Sequence, residues 1–331
     1  MDELTNSWSR YWHADSAASR QESFSGFFGV HSKEFWRAQL ALCSTSATIV
    51  DFGCGSGALL LYLAGAVNGG KRRQFFGIDR AELSQPDLSP IEHDCFRQFR
   101  LFGNTNFDAT PIKNGAAELV ISQYGVEYGL SAKLWQELDR ITGHGSRVAF
   151  VMHKRGSRMF RVATDEQALL CKILSPDGVI SAAEAMLPLL AVVQRSRRQG
   201  QAASARIIAD AQKARSLYNS AVASLIEFAA SREFRDVATE AMDALARILQ
   251  RSGFQPIDRL GSELQRLRQL LDDQSSRLDA LLACALAPGD VEQVGCRLVE
   301  VGFQTPVVGV LQERGYDMGW TLTAHKSSKS S

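Results

Sequence analysis

The stretch Val50-Asp51-Phe52-Gly53-Cys54-Gly55-Ser56-Gly57 decides how the rest of this 331-residue chain is read. It predicts a β-strand entering a glycine-rich turn that opens directly into a helix, the compact apolar run Ala58–Ala66. Glycines at alternate positions let the backbone take tight conformations and approach a ligand closely. The helix N-terminus behind them offers amide donors that have no intrahelical partner. A side chain at any of the three positions would intrude on whatever binds there.

Two ligand classes use such a loop. Dinucleotide enzymes hold a pyrophosphate on G-x-G-x-x-G/A, and Gly53, Gly55 and Ala58 satisfy that pattern. Two details favour the other class. Asp51 places a carboxylate two residues before the first glycine, where a pyrophosphate needs none and a ligand ammonium group is well served. The third glycine falls at Gly57, completing D-x-G-x-G-x-G.

Working outward, short apolar runs alternate with helical patterns, as βαβ units require. The runs with strand character are Thr48–Phe52, Gln74–Asp79, Leu119–Ser122 and Arg147–His153. The second ends in Phe76-Gly77-Ile78-Asp79, and an acidic residue there can accept both hydroxyls of a ribose, whichever nucleoside is bound. Farther on come Asn106-Phe107-Asp108-Ala109-Thr110-Pro111-Ile112, then Ala117-Glu118-Leu119-Val120-Ile121-Ser122-Gln123-Tyr124-Gly125-Val126-Glu127-Tyr128. Near the C-terminus, Thr305–Gln312 and Trp320–His325 flank Gly315 and read as an antiparallel hairpin.

Taken in this order, these motifs resemble the class I S-adenosylmethionine-dependent methyltransferases over residues 46–153 and about 290–326. The resemblance implies a Rossmann-like, mostly parallel sheet with a C-terminal antiparallel hairpin. It implies S-adenosyl-L-methionine as cofactor, with S-adenosyl-L-homocysteine as product. Asp51, Gly53, Cys54, Gly55, Gly57 and Arg80 are then cofactor-binding, with Asp51 serving the ammonium group, Asp79 the ribose hydroxyls and Asp108, with the Ala109 backbone nearby, the adenine amino group, while Gln123 touches the cofactor after the fourth strand. Glu118 stands where the family usually has aspartate. The family's N/D-P-P-Y/F tetrad for base amines and glutamine amides is absent, which weakens those acceptors.

Acceptor chemistry is expected on loops after the strands, where open α/β sheets place ligands. His153, at the end of the fifth strand, is a candidate general base; the plainer reading is a histidine satisfying backbone groups. Tyr124 and Glu127 are further catalytic candidates, and Glu127 can orient a cationic or hydroxyl acceptor or merely cap a helix. Trp8, Tyr11 and Trp12 share a helix face and, with Tyr128, are candidates for the acceptor side. As an aromatic stripe they read equally well as core packing.

The expected organisation is an N-terminal helical segment at 1–45 over the site and an α/β core at 46–154. A helical insertion follows at 155–288, then the core's C-terminal part at 289–326 and a disordered tail at 327–331. In the insertion, apolar residues step through Ile257, Leu260, Leu264, Leu267, Leu271, Leu278 and Leu281, with Gln274 interrupting. A long amphipathic helix packed in its own domain is the favoured reading, and a homodimeric coiled coil the alternative. The insertion's Arg195, Arg197, Arg198, Arg206, Lys213 and Arg215 can meet phosphate, a carboxylated substrate or RNA. Acidic residues elsewhere nearly balance them, so a solvated face is the default. Lys71-Arg72-Arg73 reads as a solubilising turn.

Composition sets the outer bounds. Hydrophobic residues make up 45% and charged residues 22%, and the formal net charge of +1 exerts no overall pull on nucleic acid or anionic membrane. The six cysteines form no CxxC pair and do not cluster with histidine, so no metal site is expected. The start Met1-Asp2-Glu3-Leu4 is no signal peptide and no apolar run looks long enough to span a bilayer, which points to a reduced, cytoplasmic protein without a membrane partner. The leading functional expectation is methyl transfer to O, N or C of a small-molecule acceptor. The alternatives are an RNA or protein methyltransferase using the basic insertion, a non-catalytic assembly protein that keeps the cofactor fold, and an oxidoreductase.

Overall fold

The computed structural model describes residues 2–13, 29–66, 72–86, 88 and 97–327. In chain order the elements are α1 (Glu3–His13), α2 (Val30–Ala41), β1 (Thr48–Phe52), α3 (Ala58–Gly65), β2 (Gln74–Ile78), β3 (Gln98–Phe102), β4 (Ala117–Gln123), α4 (Ala132–Ile141) and β5 (Thr142–His153). Then follow α5 (Arg158–Leu174), α6 (Val179–Arg198), α7 (Ala205–Ala230), α8 (Asp236–Gln250), α9 (Ile257–Cys284), α10 (Pro288–Glu300), β6 (Val307–Glu313) and β7 (Tyr316–His325). The chain divides into an α/β unit, Met1–Phe160 with Ala280–Ser331, and a helical unit, Arg161–Asp279. The division falls inside α5 and α9, several residues within the 155–288 limits expected from composition, because both helices run across it.

The sheet has the order β3-β2-β1-β4-β5-β7-β6. β1 to β5 pair in parallel, and β7 is antiparallel to both β5 and β6. Strand alternation supplies two apolar layers, as a sheet covered on both faces requires. Ile49, Leu119, Ile121, Ala149 and Val151 face Trp36, Leu40, Leu60 and Leu63 of α2 and α3. Val50, Phe52, Val120, Val148 and Phe150 face Leu134, Leu138, Val291 and Leu298 of α4 and α10. β3 is absent from the strand runs visible in the sequence because it is an edge strand: of Gln98–Phe102, only Leu101 is buried.

Two sequence expectations change. Arg73 is buried, and its guanidinium donates to the carbonyls of Leu40, Cys43 and Ser44 at 3.0–3.2 Å, closing the C-terminal end of α2. Glu118 performs a related task, accepting from the backbone N–H and hydroxyl of Ser44. Ser327, expected in the tail, joins the ordered fold with Lys326: its hydroxyl accepts from the Gln304 amide and its carbonyl lies 3.1 Å from His144 Nδ1. The Lys326 ammonium donates to Asp139 at 2.6 Å and its backbone N–H to the Ser146 carbonyl at 2.8 Å. Residues 328–331, Lys71 and Cys95 lie outside the described residues.

In the helical unit, Leu260, Leu264 and Leu271 of α9 are buried in a core shared with α5 to α8. The leucine seam thus packs within its own unit, and Gln274, at the interruption, donates to Glu166 at 3.3 Å. The stretch Arg158–Arg198 contains a window long and apolar enough, by composition, to cross a membrane. Here it is two helices, α5 and α6, broken by the Ser175–Gly178 turn, and both contribute to that core.

Candidate functional site

Parallel strands bring their carboxyl ends to one edge of the sheet, and the loops that follow β1, β2, β4 and β5 meet there. Gly53, Gly55 and Gly57 have φ of 76°, 51° and 78°, the left-handed region that glycine enters without penalty. The amides of Gly53 and Cys54 both donate to the Ile78 carbonyl at the end of β2, at 2.8 and 3.2 Å. A Cβ on Gly53 would lie 2.7 Å from the Gly125 Cα, so the β1 and β4 loops touch through two glycines. Ser122 reinforces this junction, donating to the Phe52 carbonyl at 2.6 Å and accepting from the Val126 amide at 2.8 Å. Nothing in the sequence singled out Ser122 or Gly125, because their importance lies in an approach between distant loops.

Asp79 sits half-buried just beyond β2. Its carboxylate accepts from the Gly55 amide at 2.9 Å and the Ala81 amide at 2.8 Å, which fixes it against the glycine loop. Asp51 is buried within β1, and its Oδ1 has no hydrogen-bond partner. Burial, and secondarily the nearby Asp79 carboxylate, push its pKa well above the usual carboxylate range. An uncompensated buried carboxylate is costly, so Asp51 has the signature of a group awaiting a donor or a cation. The Cys54 side chain turns into the sheet beneath Gly77, where a Cβ would meet its Sγ at 2.5 Å; only its backbone lines the loop. Phe107 stacks on Phe52 at 5.2 Å, and the turn holding the half-buried Asp108 and the exposed Ala109 follows.

The loop after β4 is strained. Tyr124 has φ of 57°, a conformation bulky side chains rarely adopt and one that clusters at functional sites. Its ring stacks on His153 at 4.6 Å, while the Tyr128 hydroxyl lies 3.3 Å from His153 Nε2. Glu127 Oε1 accepts the His153 backbone N–H at 2.7 Å and stands 4.0 Å from its Nε2. Glu127 Oε2 and His153 Nδ1 are both buried without partners. Burial pushes Glu127 up to about 7, against hydrogen bonds from backbone N–H groups, and pushes His153 down to about 3. Cys284, which no sequence pattern flagged, donates to the Leu281 carbonyl at 3.5 Å and lies close enough to Tyr128 that each shifts the other's ionisation.

The aromatic residues of α1 cover this edge. Trp8 packs edge-on against Tyr128 at 6.2 Å, and Trp12 stacks on Trp8 at 6.1 Å while Tyr11 meets it at 4.7 Å. The Trp12 ring rests on the glycine loop, 2.4 Å from where a Cβ of Gly55 would be. The helix is moored by Ser9, which accepts from the Glu82 amide at 2.9 Å, and by an ion pair between Asp2 and Arg80 at 2.7 Å. Arg80 is thereby turned to α1. Gln123 is turned to the opposite apolar layer, accepting from the Trp36 indole, as its register with Leu119 and Ile121 on β4 dictates. The structure thus gathers Asp51, the glycines, Asp79, Tyr124, Glu127, Tyr128, His153 and the α1 aromatics at one sheet edge, and leaves the Gln123 amide outside that group. Among the described residues no group of three His, Cys, Asp or Glu side chains is arranged to hold a metal.

No protein-family model matches this chain, and no curated protein does. Solved structures similar to it include a Methanococcus maripaludis protein designated an S-adenosyl-L-methionine-dependent methyltransferase. At 12% identity and a TM-score of 0.45, that match covers 100% of this chain and 97% of the other. A 16S rRNA (adenine(1408)-N(1))-methyltransferase from Catenulisporales acidiphilia is 12% identical over 90% of this chain and 93% of its own, with a TM-score of 0.39. A Haloferax volcanii methyltransferase in complex with the Trm112 activator is 22% identical, with a TM-score of 0.35. That match covers 46% of this chain and 62% of the other, so this chain spans less than two thirds of it. The sheet order, the single reversed strand β7, the left-handed glycine loop after β1 and the acidic residue after β2 together make this a Rossmann-like, mostly parallel α/β fold closed by a C-terminal antiparallel hairpin.

Proposed function

We propose that this chain is an S-adenosylmethionine-dependent methyltransferase acting on an oxygen, nitrogen or carbon atom of a small-molecule acceptor. The observation that carries the reading is the unpartnered, buried Asp51 carboxylate beneath a loop of three left-handed glycines. It fits a ligand with a compact backbone-facing body and an ammonium group. Asp51 would take the ammonium, the glycine amides the amino-acid carboxylate, Asp79 the ribose hydroxyls and Asp108 the adenine amino group. When bound, the cofactor supplies an already activated methyl group, so the chain's own task is alignment, exclusion of water and, where needed, removal of a proton.

The two unpartnered polar atoms at the β4 and β5 ends support an acceptor with a hydroxyl or amine. A small acceptor can donate to Glu127 Oε2 and pair with His153 Nδ1, relieving both. Of the two, Glu127 is the better general base: about 7 lies near neutral operating pH, while about 3 leaves His153 a feeble base. His153 then positions the Tyr128 hydroxyl, and Trp8 and Trp12 keep water from the reacting atoms.

Calorimetric titration with S-adenosylmethionine, S-adenosylhomocysteine and NADH, repeated with Asp79→Ala, tests the cofactor. Saturable binding of both sulfur nucleosides, weakened by the substitution, is expected. Tight NADH binding in their place would overturn the proposal in favour of a dehydrogenase.

A further inference from the structure

We propose that one end of the helical unit docks on an anionic phospholipid bilayer. The end in question carries the α6–α7 and α8–α9 turns. These lie together: Arg198 donates to the Gly253 carbonyl at 2.7 Å, and Ser252 donates to Gln194 at 3.1 Å. The unit as a whole is nearly neutral, but its charges are segregated. Within residues 195–215 and 247–266 there are ten arginines and lysines against three carboxylates; the remainder of 161–279 holds six against twelve. The two portions cancel in the total, which is how a net charge of +1 conceals a concentration of basic residues.

The cations at this end are also largely unengaged. Arg195, Arg197, Lys213, Arg215, Arg247 and Arg266 are exposed and make no ion pair among the described residues. Elsewhere in the unit Arg161, Lys172, Arg232 and Arg268 are each bridged to a carboxylate. Arg195, Arg197 and Arg247 lie in the last turns of α6 and α8, and Lys213, Arg215 and Arg266 in the third turns of α7 and α9. Charges spread in this way over four helices suit an extended anionic surface rather than one small anion.

Apolar side chains decide between a bilayer and a nucleic acid. Val192, Ile208, Leu217, Ile226, Phe254 and Leu270 are the exposed large hydrophobic residues of the unit. All but Ile226 lie in the basic stretches or within four residues of them. Phe254, 72% exposed, stands on the α8–α9 turn with the Arg198 guanidinium 4.2 Å from its ring centre. Between α8 and α9 runs an open groove floored by Ile248, Leu267 and Leu270 and edged by Arg247 and Arg266. RNA phosphates would use the arginines and could stack a base on Phe254, but leave the aliphatic residues idle. A bilayer uses both sets: basic groups at the headgroup phosphates and apolar side chains at the acyl boundary.

The test is co-sedimentation of the full chain with vesicles of phosphatidylcholine alone or mixed with phosphatidylglycerol, and, in parallel, binding to single-stranded poly-uridylate RNA. Selective binding to the anionic vesicles is expected. Arg247→Glu with Arg266→Glu should weaken it more than about tenfold, and Phe254→Ser by about tenfold. All three positions are exposed, and unchanged circular dichroism and melting will confirm that the variants fold. Equal or no binding to the two vesicle types overturns the proposal. So does tighter RNA binding that the charge reversal abolishes and Phe254→Ser leaves intact, which would make the surface a nucleic-acid one. Neither result bears on the cofactor site, whose titration stands separately.

Discussion

Replacing Glu127 by glutamine should make the protein more stable, increasingly so as pH rises. The unfolded carboxyl titrates near 4.5, the folded one at about 7. Between those values the folded chain keeps a proton that the unfolded chain has released, so stability falls as pH rises. The slope is about 1.4 kcal/mol per pH unit, which gives roughly 3 kcal/mol in all, with the loss complete somewhat above pH 7. Glutamine keeps an oxygen to accept the His153 backbone N–H and cannot ionise. At pH 4 the variant and the parent should therefore have similar stability, and by pH 8 Glu127→Gln should lead by up to about 3 kcal/mol. Urea unfolding at half-unit pH intervals measures the difference directly. His153 titrates in both proteins and cancels. A stability difference that stays flat from pH 4 to 8 would refute the claim that burial holds Glu127 near neutrality, and with it the assignment of Glu127 as general base.

His153→Gln should remove an acid sensitivity of opposite sign: with a folded pKa of about 3 against 6.5, the parent loses stability as pH falls below about 6.5, and the variant should not, as melts from pH 7 to 4 will show. Asp51→Asn should leave stability equal or higher, since it removes a buried unpartnered charge, while weakening S-adenosylhomocysteine binding by tenfold or more in calorimetry, about 1.4 kcal/mol. Gly55→Ala imposes a left-handed conformation on alanine and drives a Cβ into Trp12, so a loss of at least about 1 kcal/mol is expected in denaturant unfolding, together with loss of cofactor binding. Arg73→Ala leaves three carbonyls at the end of α2 without their donor and should cost about 2–4 kcal/mol on the same assay, with cofactor affinity retained in the folded fraction. Trp12→Ala uncovers the glycine loop and should speed S-adenosylhomocysteine association in stopped-flow mixing; an unchanged rate would mean that Trp12 does not stand in the ligand's path.

Local chemistry made the fold and half of the site legible in the sequence. Alternate glycines after a buried apolar strand can serve few purposes, because their left-handed conformations are determined within a handful of residues. The same holds for Asp79, whose place after the second strand follows from chain order, and for the hairpin around Gly315. Strand signals failed where burial was absent, as in β3, since apolar alternation records only what a core demands. Arg73 and Glu118 look like surface charges in one dimension, yet each serves α2 or its following turn across about 30 and 74 residues of chain. Gln123 carries a polar group at a strand end, where either face is available to it; only the sheet's register turned it to Trp36. The pairing of Glu127 with His153, their opposite pKa shifts and the mooring of α1 at Ser9 and Arg80 depend on burial and on contacts between separate elements. Those quantities exist only once the chain has closed, because desolvation belongs to a position in space and not to a residue type.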